Sequence, residues 1–278
     1  MFELNGKVAV ITGAAQGLGK HLALQLAKQG CHIVALDILE DELKTTAGEV
    51  QSHNVDCLAL ICDIGNEAEV QKSFEEINRT FEHIDILINN AFIHRRGAPE
   101  TFASEDFDEV LSVNTRGSFL CAQACAKKMI SEKTGGSIIN ISSIAGQSAL
   151  GRGNIVYSMS KAAINQMTKE MAIEWAAYKI RVNAILPCQI MTAAVERMLS
   201  VLDAEEKVKT VERILDGIPL GRMAEVEDYT GIVLLLASPM GSMITGALIP
   251  VDGGNLALNA GGDPIIKTDN AAESRRYK

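Results

Sequence analysis

Short apolar runs recur along the chain and alternate with longer amphipathic stretches. The runs are KVAVIT (7–12), HIVALD (32–37), CLALIC (57–62), IDILIN (84–89), GSIINIS (136–142), IRVNAIL (180–186) and GALIPVD (246–252). Each is almost continuously apolar, as a strand covered on both faces should be. The stretches between them include 18–30, 66–81, 104–130, 158–178 and 225–237, which carry apolar residues at helical spacing. That alternation predicts an α/β fold, a doubly wound parallel sheet of Rossmann type with helices on both faces. No Pro-rich or Gly/Ser-rich linker and no repeat divides the chain, so residues 1–257 read as one domain. Segment 190–222 interrupts the rhythm with a Met-, Glu- and Lys-rich helical pattern, which suits a substrate-side lid. Residues 258–278 are polar and contain Gly and Asp. They read as a tail that is partly disordered or reaches a neighbouring subunit.

Composition narrows the classes. The chain has 278 residues, 47% hydrophobic and 22% charged, as a globular protein with a sizeable core has. Lys and Arg total 26 against 35 Asp and Glu, a formal charge of -9, so nucleic acid is not an expected partner. The N-terminal residues lack a basic segment followed by an apolar one, so no secretory signal is expected. No apolar run reaches the roughly 18–20 residues a membrane span requires. These features predict a cytoplasmic protein that does not enter membranes. The six cysteines (31, 57, 62, 121, 125 and 188) lie mostly in apolar segments and read as buried reduced thiols. Cys121 and Cys125 share a helix face, yet no nearby His or second Cys pair completes a zinc set, so no metal is expected.

Candidate chemistry sits at the ends of the runs. After the first come Gly13, Gly17 and Gly19, where a strand must turn sharply into a helix. Such a turn lets a pyrophosphate approach a helix N-terminus. The spacing is G-x3-G-x-G, and an ordinary tight turn is the competing reading. Run two ends at Asp37, about 20 residues further on, where an acid accepts from ribose hydroxyls and repels a 2′-phosphate. Gln16 and Ile38, the residues that would otherwise meet that phosphate, are not cationic. NAD is therefore expected in preference to NADP. Asp63 ends run three and either accepts from an adenine amino group or caps a helix. His94, Arg95 and Arg96 come after run four at the edge where such sheets bind ligands. They are solvated loop charges, a subunit contact, or contacts to an anionic substrate. Tyr157 and Lys161 are four apart and share a helix face. A free phenol titrates near pH ~10, and a neighbouring ammonium is expected to lower that value. Ser142 and Ser143 end run five on the same ligand-binding edge.

Together TGAAQGLG, CDI, INNA, SVNTRG, NISS, YSMSK, VNAILP and ITGALIPVDGG stand in the order of the short-chain dehydrogenase/reductase family, which the chain resembles over about residues 4–256. The resemblance implies a seven-stranded parallel sheet, a nicotinamide cofactor, and a homotetramer or homodimer. It implies Tyr157 as acid/base and Lys161 as the group that lowers its pKa and holds the nicotinamide ribose. It further implies Ser143 on the substrate oxygen, with Ser142 the less favoured of the two, and Asn114 helping to hold a water beside the lysine. Cofactor contacts are implied at Gly13, Gln16, Gly17, Leu18, Gly19, Asp37, Asp63, Ile64, Asn90, Ala91, Tyr157, Lys161, Pro187, Ile190 and Thr192. Two positions depart from the family pattern: Phe92 and Cys188 stand where glycine is common. Phe92 either reshapes the pocket entrance or points into the core; Cys188 is either a redox liability or an inert filler. Around Arg95–Arg96 and RILDGIPLGRM (213–223) the chain resembles family members acting on sugar acids, gluconate 5-dehydrogenase and 2-dehydro-3-deoxy-gluconate 5-dehydrogenase. A small-molecule sugar acid or polyol is the expected substrate, contacted by Ser143, His94, Arg95 and Arg96. A 3-oxoacyl-carrier-protein reductase is the rival enzyme, and a non-catalytic NAD-sensing protein the rival of another class.

Overall fold

The computed structural model describes residues 2–258, so the tail from residue 259 onward lies outside the described residues. All seven apolar runs form strands: β1 (Val8–Thr12), β2 (His32–Asp37), β3 (Cys57–Ile61), β4 (Ile86–Asn89), β5 (Gly136–Ile141), β6 (Ile180–Pro187) and β7 (Leu248–Val251). They make one parallel sheet in the order β3-β2-β1-β4-β5-β6-β7. The inner strands alternate between two cores. Ala9, Ile11, Ile33 and Ala35 pack with α1 (Gly17–Lys28) and α9 (Thr230–Ala237). Val8, Val10, Val34 and Leu36 pack with α3 (Glu67–Thr80), α5 (Ser118–Ser131) and α6 (Ile155–Glu174).

Burial on both faces fails at the two edges. β3 is half-buried with Ile61 exposed, and β7 is half-buried with Pro250 exposed. Each has only one strand neighbour, and a proline at an edge forfeits no central ladder bond. The amphipathic stretches named from the sequence omit α2 (Glu40–Gln51), which buries only Leu43, Thr46 and Val50 among its charges. The expected helix over 104–130 is broken into α4 (Ser104–Leu111), a π-turn at Ser112–Gly117, and α5. The extra residue in that turn brings Asn114 inward, fully buried. Helix α6 begins three residues ahead of the expected 158–178, so Tyr157 lies in its first turn. The insertion carries two helices, α7 (Ala193–Ser200) and α8 (Ala204–Leu215).

Strand β1 is flanked by β2 on one side and β4 on the other, so the strand order reverses there. In open α/β sheets that reversal opens a crevice beyond the carboxyl ends of the strands.

Candidate active site

A cleft of about 850 Å³ occupies that crevice. At one end the β1–α1 turn brings backbone close to backbone. A Cβ on Gly19 would stand 2.0 Å from the Gly13 carbonyl oxygen, so the turn closes only around glycine. Gly17 has φ +56 and faces the cleft; a Cβ there would meet nothing nearer than Thr192 Cγ2 at 3.9 Å. Gln16 does not cap α1 with its side chain, which leaves the positive end of the helix directed at the cleft. Thr12 closes the turn from below. Its buried hydroxyl accepts from the amides of Asn90 and Ala91, both at 3.0 Å, while Asn90 Nδ2 donates back to the carbonyls of Thr12 and Gly13.

Asp37 lines the cleft at the end of β2, but it also holds its own loop. Oδ2 accepts from the Ala15 amide at 2.9 Å, and Oδ1 from those of Ile38 and Leu39 at 2.8 and 3.1 Å. A carboxylate has about four acceptor sites, so one remains for a ribose hydroxyl. Asp63 lines the cleft and accepts from the Gly65 amide, with buried Ile64 beside it. Leu18, Pro187, Ile190 and Thr192 complete the walls, Thr192 also capping α7.

At the other end stand Ser143, Tyr157 and Lys161. Ser143 caps the short turn after β5 by accepting from Ala145 N, and it hydrogen-bonds the Tyr157 phenol. Ser142 also lines the cleft, but its hydroxyl donates to the Lys161 carbonyl at 3.1 Å, which separates the adjacent pair. Lys161 is 1% exposed, and Nζ donates to the Ile141 carbonyl at 2.8 Å.

The expected lowering of the Tyr157 pKa is corrected by this geometry. Burial pushes the phenol up to about 12, with the Ser143 hydrogen bond pulling the other way. Burial pulls Lys161 down to about 7. The ammonium turns to Ile141 rather than to the phenol, and lies 5.7 Å from the centroid of the Tyr157 ring. Proximity along a helix does not by itself outweigh desolvation.

Asn114 spends its amide on the protein. Oδ1 accepts from Ile93 N at 2.8 Å, while Nδ2 donates to Ile93 O and Ser160 Oγ, both at 3.0 Å. The segment after β4 is thereby fixed, and Asn114 itself is not part of the cleft wall.

Beyond Ile93, the three cations separate. His94 packs on Tyr157 with tilted rings, centroids 4.8 Å apart, and bonds Asn154 through Nε2 at 2.7 Å. Burial lowers its pKa, Arg96 adding to the effect. Arg95 pairs with Glu109 at 2.9 Å and Asp106 at 3.5 Å. Arg96 is exposed, and neither arginine lines the cleft, whereas Glu109 does. Phe92 resolves toward the pocket: it is 53% exposed and lines the cleft. Cys188 also lines it, half-buried, with burial pushing its thiol up to about 11, which suits an inert filler.

Three residues that no motif marked as functional prove to hold the site: Thr12, Ser160 and Asn154. Thr12 and Ser160 do fall inside the TGAAQGLG and YSMSK motifs, but only as neighbours of the residues to which a role was given, and Asn154 carried no signal. Among the described residues, no group of His, Cys, Asp and Glu could hold a metal ion, and no helix is long and apolar enough to cross a membrane. A nicotinamide dinucleotide fits the cleft. The open lane at Gly17 would take its diphosphate, Asp37 the adenosine ribose, and Lys161 the nicotinamide ribose.

The family model described as "Enoyl-(Acyl carrier protein) reductase" matches residues 13–255. An NAD-dependent glycerol dehydrogenase of Listeria innocua is 37% identical over 253 residues, covering 91% of this chain and 95% of its own length. A 2-dehydro-3-deoxy-D-gluconate 5-dehydrogenase of Escherichia coli is 38% identical over 259 residues, covering 92% and 98%. The crystal structure of a short-chain type dehydrogenase/reductase from Mycobacterium marinum superposes with a TM-score of 0.85 at 34% identity, covering 92% of this chain and 98% of that one. Two further matches widen the range. A 3-oxoacyl-[acyl-carrier-protein] reductase of Thermotoga maritima is 35% identical over 91% of this chain and 98% of its own. A structure of a putative 2-deoxy-d-gluconate 3-dehydrogenase from Agrobacterium tumefaciens, with bound NADP, has a TM-score of 0.81 at 34% identity, covering 92% and 99%.

Proposed function

The chain belongs to the short-chain dehydrogenase/reductase family, and from that premise we propose an NAD-dependent interconversion of a secondary alcohol and a ketone. The substrate is sugar-derived, a polyol ahead of a sugar acid. What carries the reading is the convergence of Ser143, Tyr157 and Lys161 at one end of the cleft that starts at the Gly13–Gly19 turn.

A nicotinamide dinucleotide held there supplies the hydride donor or acceptor. Tyr157 exchanges a proton with the substrate oxygen at Oη, and Ser143 donates to that oxygen as charge develops on it. Lys161 holds the ribose. With the phenol pushed up to about 12, its neutral form prevails near pH 7, the form that donates a proton when a ketone is reduced. Oxidation, which needs the phenolate, gains as pH rises.

NAD is favoured over NADP because Asp37 places a carboxylate where a 2′-phosphate would stand, with exposed Ile38 offering no countercharge. The polyol reading is favoured because Arg95 is taken up by Glu109 and Asp106. Arg96, exposed beside the same segment, keeps the sugar-acid reading as the second one. Assembly into a homotetramer or homodimer belongs to the same reading. The six free cysteines fit a cytoplasmic location.

Polyols, hexonates, ketogluconates and acetoacetyl thioesters, each assayed with NAD(H) and NADP(H), test the reading. Turnover of a polyol or sugar acid with NAD is expected, and activity on thioesters alone overturns it. Tyr157→Phe should cut turnover by at least about a hundredfold while cofactor binding persists. Retained turnover refutes the role of the phenol.

A further inference from the structure

The wall of the cleft over Lys161 is a phenylalanine, and neither hydride transfer nor proton exchange at Tyr157 requires one. The Lys161 ammonium lies 5.3 Å from the centroid of the Phe92 ring and 5.7 Å from that of Tyr157. Phe92 also packs on Tyr157 itself, ring centroids 6.1 Å apart, in addition to the contact made by His94 at 4.8 Å. Two aromatic side chains after β4 therefore pack on the phenol, and one of them also covers the ammonium.

An ammonium carries three donors. One is used on the Ile141 carbonyl, and among the described residues no carboxylate forms an ion pair with Lys161. The titratable groups packed around it add no countercharge. From α6 there is Tyr157, a neutral phenol; from the segment after β4, His94, which burial keeps neutral. Cys188, just past β6 on the cleft wall, is a neutral thiol, while Ser142, Ser143, Asn114 and Ser160 do not ionise near neutrality. Asp37, Asp63 and Glu109 also line the cleft, but none of them raises the Lys161 pKa. Burial is the sole cause of the fall in the lysine's pKa, and it brings the group to about 7, where a small added stabilisation decides its charge.

We propose that Phe92 is a positioning residue for the Tyr157–Lys161 pair, its ring face holding Lys161 as the ammonium while the site excludes water. This rests on the acid/base reading of Tyr157. It assigns a role to the side chain at a position where glycine would offer no ring. The attraction between a desolvated ammonium and an aromatic face is large enough to matter at a group so poised.

The test tracks the Lys161 side-chain ¹³Cε shift against pH in lysine-labelled, ligand-free protein, the resonance assigned by its loss in Lys161→Met. Phe92→Leu keeps an apolar side chain and removes the π-face; it should raise the acid dissociation constant of Lys161 about three- to tenfold. Phe92→Tyr should restore the original value, and Phe92→Met, the second apolar variant, should match Phe92→Leu. The alkaline limb of the kcat/KM profile, where the ammonium is lost, should move with the NMR midpoint. An unchanged midpoint in both apolar variants overturns the proposal, and so does a midpoint that rises, because then the ring acted only by excluding water. Retained turnover in Tyr157→Phe would instead sink the acid/base reading and leave this titration interpretable.

Discussion

Replacing Lys161 with Met should make the protein more stable while disabling the site. Lys161 is 1% exposed and is pulled from 10.5 to about 7 by burial. Between those two values the unfolded chain binds a proton here that the folded chain does not, so stability rises with pH across the window. The penalty is thus fully present below about pH 7. A gap of roughly three and a half pH units, at about 1.4 kcal/mol each, amounts to about 5 kcal/mol. Met brings no charge into the pocket, but it leaves the Ile141 carbonyl without the donor now 2.8 Å away, a loss of about 1–2 kcal/mol. The net expectation at pH 7 is a gain of about 2–4 kcal/mol. Urea unfolding of both proteins at several pH values from about 7 to 8.5 measures it. Higher pH is avoided because the buried thiols and Tyr157, all pushed upward, contribute the opposite slope there. The wild type should gain stability relative to Lys161→Met by about 1.4 kcal/mol per pH unit. Equal slopes, or a variant less stable than wild type at pH 7, would refute the reasoning.

The supports of the site carry two further expected outcomes. Thr12→Val strands the buried amide of Asn90 and the part-buried amide of Ala91, and should cost about 2–3 kcal/mol in urea unfolding, against about 1 for Thr12→Ser. Equal losses would reduce Thr12 to a packing residue. Arg95→Ala removes half-exposed ion pairs and should change stability by less than about 1 kcal/mol, raising KM for a polyol and for a sugar acid alike. A rise confined to the acid would mean that this guanidinium meets substrate.

The sheet was legible because parallel strands buried between helices are continuous apolar runs, and five of the seven sit in that environment. The edges misled for the same reason: β3 and β7 carry the composition of inner strands without the cover. At the site, the spacing of Tyr157 and Lys161 showed that the two share a face, but spacing carries no information on burial, which sets the direction of both pKa changes. Arg95 has the look of a ligand contact in the sequence, yet Glu109, 14 positions along, claims it. The break between α4 and α5 was hidden because the partner it serves lies outside the helix: Ile93, 21 positions away, whose amide donates to Asn114 Oδ1.

That bond has a bearing on how such a pocket can be altered. One side-chain amide grips both the N–H and the C=O of Ile93, at 2.8 and 3.0 Å, as a partner strand would. The chain is thus clamped just past β4, and the loop beyond the clamp can vary in length and chemistry without disturbing the turn that Asn90 and Ala91 support. A designer wishing to change what the pocket accepts can treat residues 98–103 as an exchangeable cassette, provided Ile93, Asn114, His94 on Tyr157 and Gly97 on the Gly153 carbonyl are left in place.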